Sequence, residues 1–268
     1  MKAIGIFDSG FGGLEILREI VKKLPQYDYI YLGDTARLPY GTRSQEVVYN
    51  FTEQAVDFLF KKGCQMIILA CNTASSEALR RIQKEYLPKH YPERRVLGVI
   101  IPAAEAAAGG TNIGVIATEG SVASGTFERE LKKINPQIEI FQQACPLLVP
   151  IIEAGEESSQ IGEMALRKYL SPLLEKNIDT LILGCTHYGL LEPKIREIIG
   201  EKINIISEGK IVAQKLEDYL KRHPEIENFL TKNSKVDFLT TDLSDKFITL
   251  GSKFFGRPIR AEKACQVI

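Results

Sequence analysis

The chain of 268 residues has no tryptophan, only three histidines (His90, His187 and His223) and no C-x-x-C pair. So few imidazoles and no closely spaced thiols argue against a zinc site, and no metal is expected. Charge of either sign is not in excess: 34 Lys and Arg balance 34 Asp and Glu. There is thus no electrostatic case for nucleic acid or an anionic membrane as partner. No apolar run approaches the roughly 18–20 residues of a membrane helix. The N-terminus passes directly into a short apolar segment, Ala3 to Phe7, without the longer apolar stretch and cleavage site of a signal peptide. A cytoplasmic protein is expected. The five cysteines, Cys64, Cys71, Cys145, Cys185 and Cys265, are odd in number and widely spaced, which speaks against a disulfide framework. Low-complexity segments and long linkers are also missing. What remains is an ordinary soluble composition, 44% hydrophobic and 25% charged. The length fits one large domain or two of about 100–150 residues.

Two stretches stand out, and they share one pattern: Met66-Ile67-Ile68-Leu69-Ala70-Cys71-Asn72-Thr73 and Thr180-Leu181-Ile182-Leu183-Gly184-Cys185-Thr186-His187. Each is an apolar run, a small residue, a cysteine and two polar residues. An apolar run of this length reads as a strand buried on both faces of a parallel sheet. The cysteine then falls at the carboxyl end of the strand, where open α/β folds hold their ligands. The similarity extends to Ile4-Gly5-Ile6-Phe7 and Ile113-Gly114-Val115-Ile116, offset by 113 − 4 = 109, against 185 − 71 = 114 for the cysteines. Near-equal offsets predict an α/β protein of two similar, pseudo-symmetric halves with parallel central sheets, whose strand ends share one cleft. Chance likeness between apolar strands is the plain alternative.

Read in order, residues 3–7 form a strand, followed by the loop Asp8-Ser9-Gly10-Phe11-Gly12-Gly13 and a helix from Leu14 to Leu24 that Pro25 ends. The loop is neither G-x-G-x-x-G nor a P-loop. It is either a tight structural turn or a backbone that a ligand approaches, and Asp8 directly after the strand favours the latter. A strand over 29–32 leads to a polar loop, 33–44, and a helix from Ser44 to Lys62. A helix over about 75–86 follows the Cys71 strand and is expected to break at Leu87-Pro88. Val96–Ile100 reads as a strand and Ala103–Ala108 as a helix. The second half continues with a helix over 124–133, a strand over 138–141, a loop or short helix from Cys145 to Gly155 carrying Glu153, and a helix over 164–174. After the Cys185 strand come a helix over 193–199, a strand over 204–206 and a helix over 210–220. Residues 236–240 read as an edge strand and 245–255 as a closing helix that returns to the first half. The expected domains are 1–97 with 209–268, carrying Cys71, and 98–208, carrying Cys185.

A thiolate is a base as well as a nucleophile, and its pKa of about 8.5 responds strongly to neighbours. One thiolate and one thiol on opposite sides of a substrate can remove a proton from one face of a carbon and deliver another to the opposite face. Inversion next to a carbonyl requires that arrangement. Asp8 is a candidate helper for Cys71, and His187 with Glu153 for Cys185. Taken singly, each cysteine reads equally as a buried apolar residue, His187 as a core histidine and Glu153 as a helix-end acid. Cys64, Cys145 and Cys265 read as structural, and His90 and His223 as surface residues.

These residues resemble the glutamate racemase family. The matching segments are Asp8-Ser9-Gly10 with Gly12-Gly13-Leu14, Gly33-Asp34-Thr35-Ala36-Arg37, Pro39-Tyr40-Gly41-Thr42-Arg43-Ser44, Ala70-Cys71-Asn72-Thr73-Ala74-Ser75, Gly114-Val115-Ile116-Ala117-Thr118, Ala144-Cys145-Pro146-Leu147 and Gly184-Cys185-Thr186-His187-Tyr188. The resemblance covers about residues 3–260. It implies a cofactor-independent racemase that interconverts L- and D-glutamate, supplies D-glutamate for peptidoglycan and forms a homodimer. It further implies that Cys71 acts on D-glutamate and Cys185 on L-glutamate. Asp8 would assist the first, Glu153 with His187 the second. Asp8, Ser9, Pro39, Tyr40, Gly41, Asn72, Thr73, Thr118, Thr186 and His187 would bind the substrate. The chain departs from the family at Gly189, where proline is usual, at Phe11, where valine is usual, and at Ile206-Ser207-Glu208-Gly209, which lacks an Asp-Ser pattern. It has no N-terminal extension like that of members activated by a cell-wall precursor, so no such regulation is expected. An aspartate or hydantoin racemase shares the two cysteines. A thiol hydrolase using Cys185 and His187 would leave Cys71 without a role, and a two-lobed binding module would leave both thiols idle.

Overall fold

The structure, a computed structural model, describes residues 2–264. Cys265 lies outside the described residues. In chain order the strands are β1 (Ile4–Asp8), β2 (Tyr29–Gly33), β3 (Met66–Leu69), β4 (Arg95–Gly98), β5 (Asn112–Ala117), β6 (Glu139–Ala144), β7 (Thr180–Gly184), β8 (Asn204–Ile206), β9 (Val236–Thr240) and β10 (Ala261–Lys263). They form two sheets, ordered β10-β9-β2-β1-β3-β4 and β6-β5-β7-β8. Every pairing in both is parallel.

The order β2-β1-β3-β4 recurs as β6-β5-β7-β8, so the repeat read from sequence is a repeat of topology. The register agrees with it. Ile4 lies opposite Met66 and Ile113 opposite Thr180, which reproduces the offsets 113 − 4 = 109 and 180 − 66 = 114. This is the two-part α/β architecture that the pattern predicts.

The central strands β1, β3, β5 and β7 are largely apolar because helices cover both faces of each sheet. On one face of the first sheet Ile4, Ile6, Met66 and Ile68 join a core with the helices Gly13–Lys23, Glu208–Arg222 and Asp245–Phe255. On the other face Phe7, Ile67 and Leu69 pack with the helix Gln45–Lys61. The first of these cores runs on without a break into the second sheet through Ile116, Leu181 and Leu183. The helix Glu208–Arg222 touches both Gly13–Lys23 and the helix Ile100–Ala107. No helix among the described residues is long and apolar enough to cross a membrane.

Three local expectations are corrected. First, β9 is not an edge strand, because β10 pairs outside it. Two of the three residues of β10 are the charged Glu262 and Lys263, so the strand carries no apolar signal. Second, the helix after Cys71 does not end before Pro88. The backbone passes through a π-helical turn, Ile82–Tyr86, into Leu87–His90. Pro88 sits in the first turn of that last piece, where a missing N–H is tolerated. Third, the strand expected to reach Ile100 stops at Gly98, and Ile100 opens a helix with Pro102 in its first turn. The Cys145–Gly155 stretch contains the short helix Leu148–Glu153.

The 34–43 loop is tied to the returning tail through Asp34, which is fully buried. Its carboxylate accepts from Arg37 Nε at 2.7 Å, Tyr40 Oη at 2.5 Å and Thr241 Oγ1 at 2.8 Å. The Leu38–Pro39 peptide within this loop is cis. Asp34→Ala strands the half-buried Arg37 guanidinium and two hydroxyls. We expect a loss of about 3 kcal/mol in urea unfolding, the cost of breaking a buried ion pair. A loss under about 1 kcal/mol, the worth of an exposed pair, would refute the anchoring role.

Candidate active site

In each sheet the chain moves from its first strand to one side and then crosses to the other. The crevice this leaves at the strand carboxyl ends is the ligand position of open α/β folds. In the first sheet the crevice lies between β1, ending in Asp8, and β3, after which comes Cys71. In the second it lies between β5, followed by Thr118, and β7, followed by Cys185. Both crevices open into one cavity of about 420 Å³. The sheets face each other through short contacts: Thr73 and Thr118 hydroxyls at 3.0 Å, Thr186 Oγ1 donating to Asp8 Oδ1 at 3.4 Å, and Gly120 N–H donating to Gly41 O at 2.9 Å.

The residues predicted for the site converge here. Cys71, Cys185, Glu153, His187, Ser9, Pro39, Tyr40, Gly41, Asn72, Thr73, Thr118 and Thr186 all line the cavity. Asp8 does not; it is fully buried one layer behind, where its carboxylate accepts from Gly10 N–H at 2.9 Å. Cys71 is the N-cap of the short helix Asn72–Glu77, and Ala74 N–H donates to its Sγ at 3.5 Å. The Cys71 thiol in turn donates to Ser9 Oγ at 3.4 Å. Cys185 Sγ lies 3.9 Å from His187 Nδ1. On the far side of that ring, Nε2 is 3.3 Å from Glu153 Oε1, within charge-pairing distance but not aligned as a hydrogen bond.

Burial dominates the electrostatics. It pushes the Cys71 thiol up to about 11, with the Asp8 charge adding to the effect and the Ser9 hydroxyl opposing it. It drives the Cys185 thiol well above the ordinary range too; the His187 backbone N–H opposes the shift, while Cys71, Asp8 and Glu208 add to it. Asp8 is also raised by burial, against the charge of His187 and the Gly10 hydrogen bond. Burial works against the Glu153 charge as well, but contact with His187 and Lys246 outweighs it and holds that carboxyl below its usual value. Burial therefore favours the protonated form of both thiols, and a cation beside them favours the thiolate.

Cys145, read as structural, is a buried free thiol that also forms part of the cavity wall. Cys64 is buried in the core behind the first sheet. His90 is exposed, whereas His223 is half-buried by stacking on Tyr219. The residue that sequence reading missed is Lys246. It lines the cavity from the C-terminal helix and donates to Glu153 Oε2 at 2.9 Å, across 93 positions in sequence. No local motif marks it; only the contact with Glu153 does.

The departures from the family pattern have structural partners. Phe11 packs on Phe247 with ring centroids 5.8 Å apart, tying the Gly-rich loop to the C-terminal helix. A Cβ at Gly189 would fall 1.9 Å from the Glu15 carboxylate, so the end of the Glu15 side chain fills the space beside Gly189 and would have to move for a proline. Gly12 is under the same constraint: its Cβ would meet Thr186 Oγ1 at 2.3 Å and His187 Nδ1 at 2.8 Å.

Comparison with known proteins agrees with this geometry. Residues 4–216 match the model of the Asp/Glu/hydantoin racemase family. The chain is 41% identical over 259 residues to the glutamate racemase of Geobacter metallireducens, covering 95% of this chain and 93% of that one. It is 41% identical over 265 residues to the glutamate racemase of Bacillus cereus, covering 98% and 96%. The crystal structure of glutamate racemase from Francisella tularensis in complex with D-glutamate superposes with a TM-score of 0.89 at 35% identity, covering 97% of this chain and 95% of that chain.

The raised thiols generate a prediction. Alkylation by iodoacetamide requires the thiolate. Because the Cys71 thiol is held at about 11, its rate rises about tenfold per pH unit between pH 7 and 9. A rise of only about 25-fold over those two pH units in peptide mass spectrometry, levelling off toward pH 9, would mean an ordinary thiol and would contradict this account.

Proposed function

The chain belongs to the Asp/Glu/hydantoin racemase family, and from that premise we propose that it racemises glutamate by proton transfer between two thiols. The observation that carries the reading is the position of Cys71 and Cys185. They end equivalent strands of a repeated fold and line one cavity. A single buried cysteine would have no need of a counterpart at the matching strand end.

The proposed reaction follows from the charges. Glutamate brings an ammonium beside thiols that burial holds protonated, and that cation favours loss of the Cys71 proton to solvent. The Cys71 thiolate takes the α-proton of D-glutamate, and the C–H electron pair moves into the adjacent carboxylate. The Cys185 thiol gives its proton to the opposite face. L-Glutamate then forms with Cys71 as thiol and Cys185 as thiolate; the reverse direction restores the starting state. Preorganised groups that match both ends of this proton path lower the barrier without a cofactor.

The helpers have a physical basis. Asp8, itself raised by burial, adjoins the Ser9 hydroxyl that accepts from Cys71. His187 stands between Cys185 and Glu153, so that its imidazole can stabilise a Cys185 thiolate. Ser9, Asn72 and Thr73 supply side-chain donors suited to carboxylates, while the Tyr40, Thr118 and Thr186 hydroxyls, which also line the cavity, donate to Asp34, Ser121 and Asp8. The product D-glutamate would serve peptidoglycan synthesis, with the enzyme acting in the cytoplasm. We also propose a homodimer. Leu147, Ile161 and Met164 are large apolar side chains left 50%, 61% and 64% exposed at the start of two packed helices. A monomer in light scattering at micromolar concentration would remove that part of the reading.

Purified protein incubated with L-glutamate in deuterated water, without added cofactor, should lose its circular dichroism signal and gain deuterium at the α-carbon. Turnover of aspartate but not glutamate would keep the chemistry and change the substrate. Cys71→Ser and Cys185→Ser should each lower racemisation by about 10³-fold or more while the far-UV spectrum is preserved, since a hydroxyl is a far weaker acid than a thiol. Near wild-type turnover in either variant would sink the two-base assignment.

A further inference from the structure

Glu208 is a buried acid with no part in the mechanism above. It opens the helix Glu208–Arg222 in the segment where the chain departs from its family, and only 5% of its surface is exposed. The side-chain amide of Asn72, itself 2% exposed and part of the cavity lining, is placed with Nδ2 donating to Glu208 Oε1 at 2.6 Å. The other two atoms of the pair, Glu208 Oε2 and Asn72 Oδ1, are buried without a hydrogen-bond partner among the described residues. Leaving two such atoms unpaired is costly, so the pair needs a reason.

We propose that Glu208 is a positioning residue for the reaction above: it fixes which end of the Asn72 amide is presented to the substrate. The inference rests on the racemase reading and extends it to the control of substrate binding. An amide can be turned over without changing its shape, so two arrangements satisfy the contact. In one, an ionised Glu208 accepts from the Asn72 NH2, and the amide oxygen is left for the ligand. In the other, a protonated Glu208 donates its O–H to the amide oxygen, and the NH2 is left. The surroundings favour the second arrangement. Burial raises the Glu208 carboxyl well above its usual range, and the charges of Glu15 and Asp8 raise it further against the Asn72 hydrogen bond. The groups that face this acid are Asp8 at the end of β1, Glu15 on the helix Gly13–Lys23, and Cys185 after β7. The NH2 of Asn72 is therefore turned toward a dicarboxylate substrate, which needs donors and would be repelled by the amide oxygen.

The test is steady-state racemisation of glutamate by variants of the full chain. Glu208→Met removes the polar partner at similar volume and frees the Asn72 amide to turn. KM should rise about tenfold, with kcat within about threefold of wild type. Glu208→Gln, whose NH2 can donate to the Asn72 oxygen, should keep KM within about threefold of wild type. In an Asn72→Ala background, Glu208→Met should add less than about twofold, because both changes remove the same contact. A merely structural Glu208 would instead lower the thermal midpoint and leave KM alone. The proposal is overturned if Glu208→Met leaves KM within about twofold, if its effect multiplies with that of Asn72→Ala, or if Glu208→Gln raises KM as far as Glu208→Met. Should Glu208→Met not fold, Glu208→Ala is read in the same way. If the wild-type protein itself does not racemise glutamate, the racemase reading fails first and the positioning role falls with it.

Discussion

The contact between Thr186 and Asp8 joins the carboxyl end of β7 to that of β1, and the two halves of the molecule meet there. Thr186 Oγ1 donates to Asp8 Oδ1 at 3.4 Å, with both residues buried. The approach is possible because Gly12 has no side chain; a Cβ would lie 2.3 Å from the same hydroxyl. Once these strand ends are held together, much else follows. Cys71 and Cys185 share one cavity, His187 comes beside the Gly-rich loop, and the threonines at positions 73 and 118 touch. A repeated fold with two separate crevices becomes a fold with one site.

Burying so many ionisable groups together has an electrostatic consequence. Asp8, Glu15, Glu208 and both active-site thiols are all driven toward their protonated forms, Glu15 to about 7. Glu153 is the exception, because Lys246 and His187 hold its charge. These acids stand behind the cavity wall, while the ion pair of Glu153 and Lys246 stands on the Cys185 side of the cavity. A ligand bringing one ammonium and two carboxylates complements such a site: the ammonium favours a thiolate, and neutral donors receive the carboxylates. The same burial explains why Glu208 can serve as a donor rather than as a charge.

The helix Gly13–Lys23 is the structural hub of these acids. It carries Glu15 against Gly189 and Glu19 against Gly209, and it packs on the helix Glu208–Arg222. The departures at Gly189 and in the 206–209 segment therefore sit on one surface, fitted to the side chains of one helix. Phe11, just before that helix, reaches the C-terminal helix through Phe247.

The sequence alone determined the two apolar strands with their cysteines, the repeat at offsets of 109 and 114, and thus the parallel α/β class. Those features are local: strand burial writes itself as a continuous apolar run, and duplication writes itself as a repeated spacing. The residues expected to bind substrate, from Asp8 to His187, were named through the family resemblance, position by position, and all of them but Asp8 line the cavity. Only the tertiary structure decided the rest. β10 pairs through backbone hydrogen bonds that leave no mark in its charged sequence. Lys246 meets Glu153 across 93 residues, and Glu208 meets Asn72 across 136. Asp8 stands behind the cavity wall rather than in it. Such contacts depend on how separate segments are packed. A side chain's partner, and through it the proton it holds, is fixed by what burial brings next to it rather than by its neighbours in the chain.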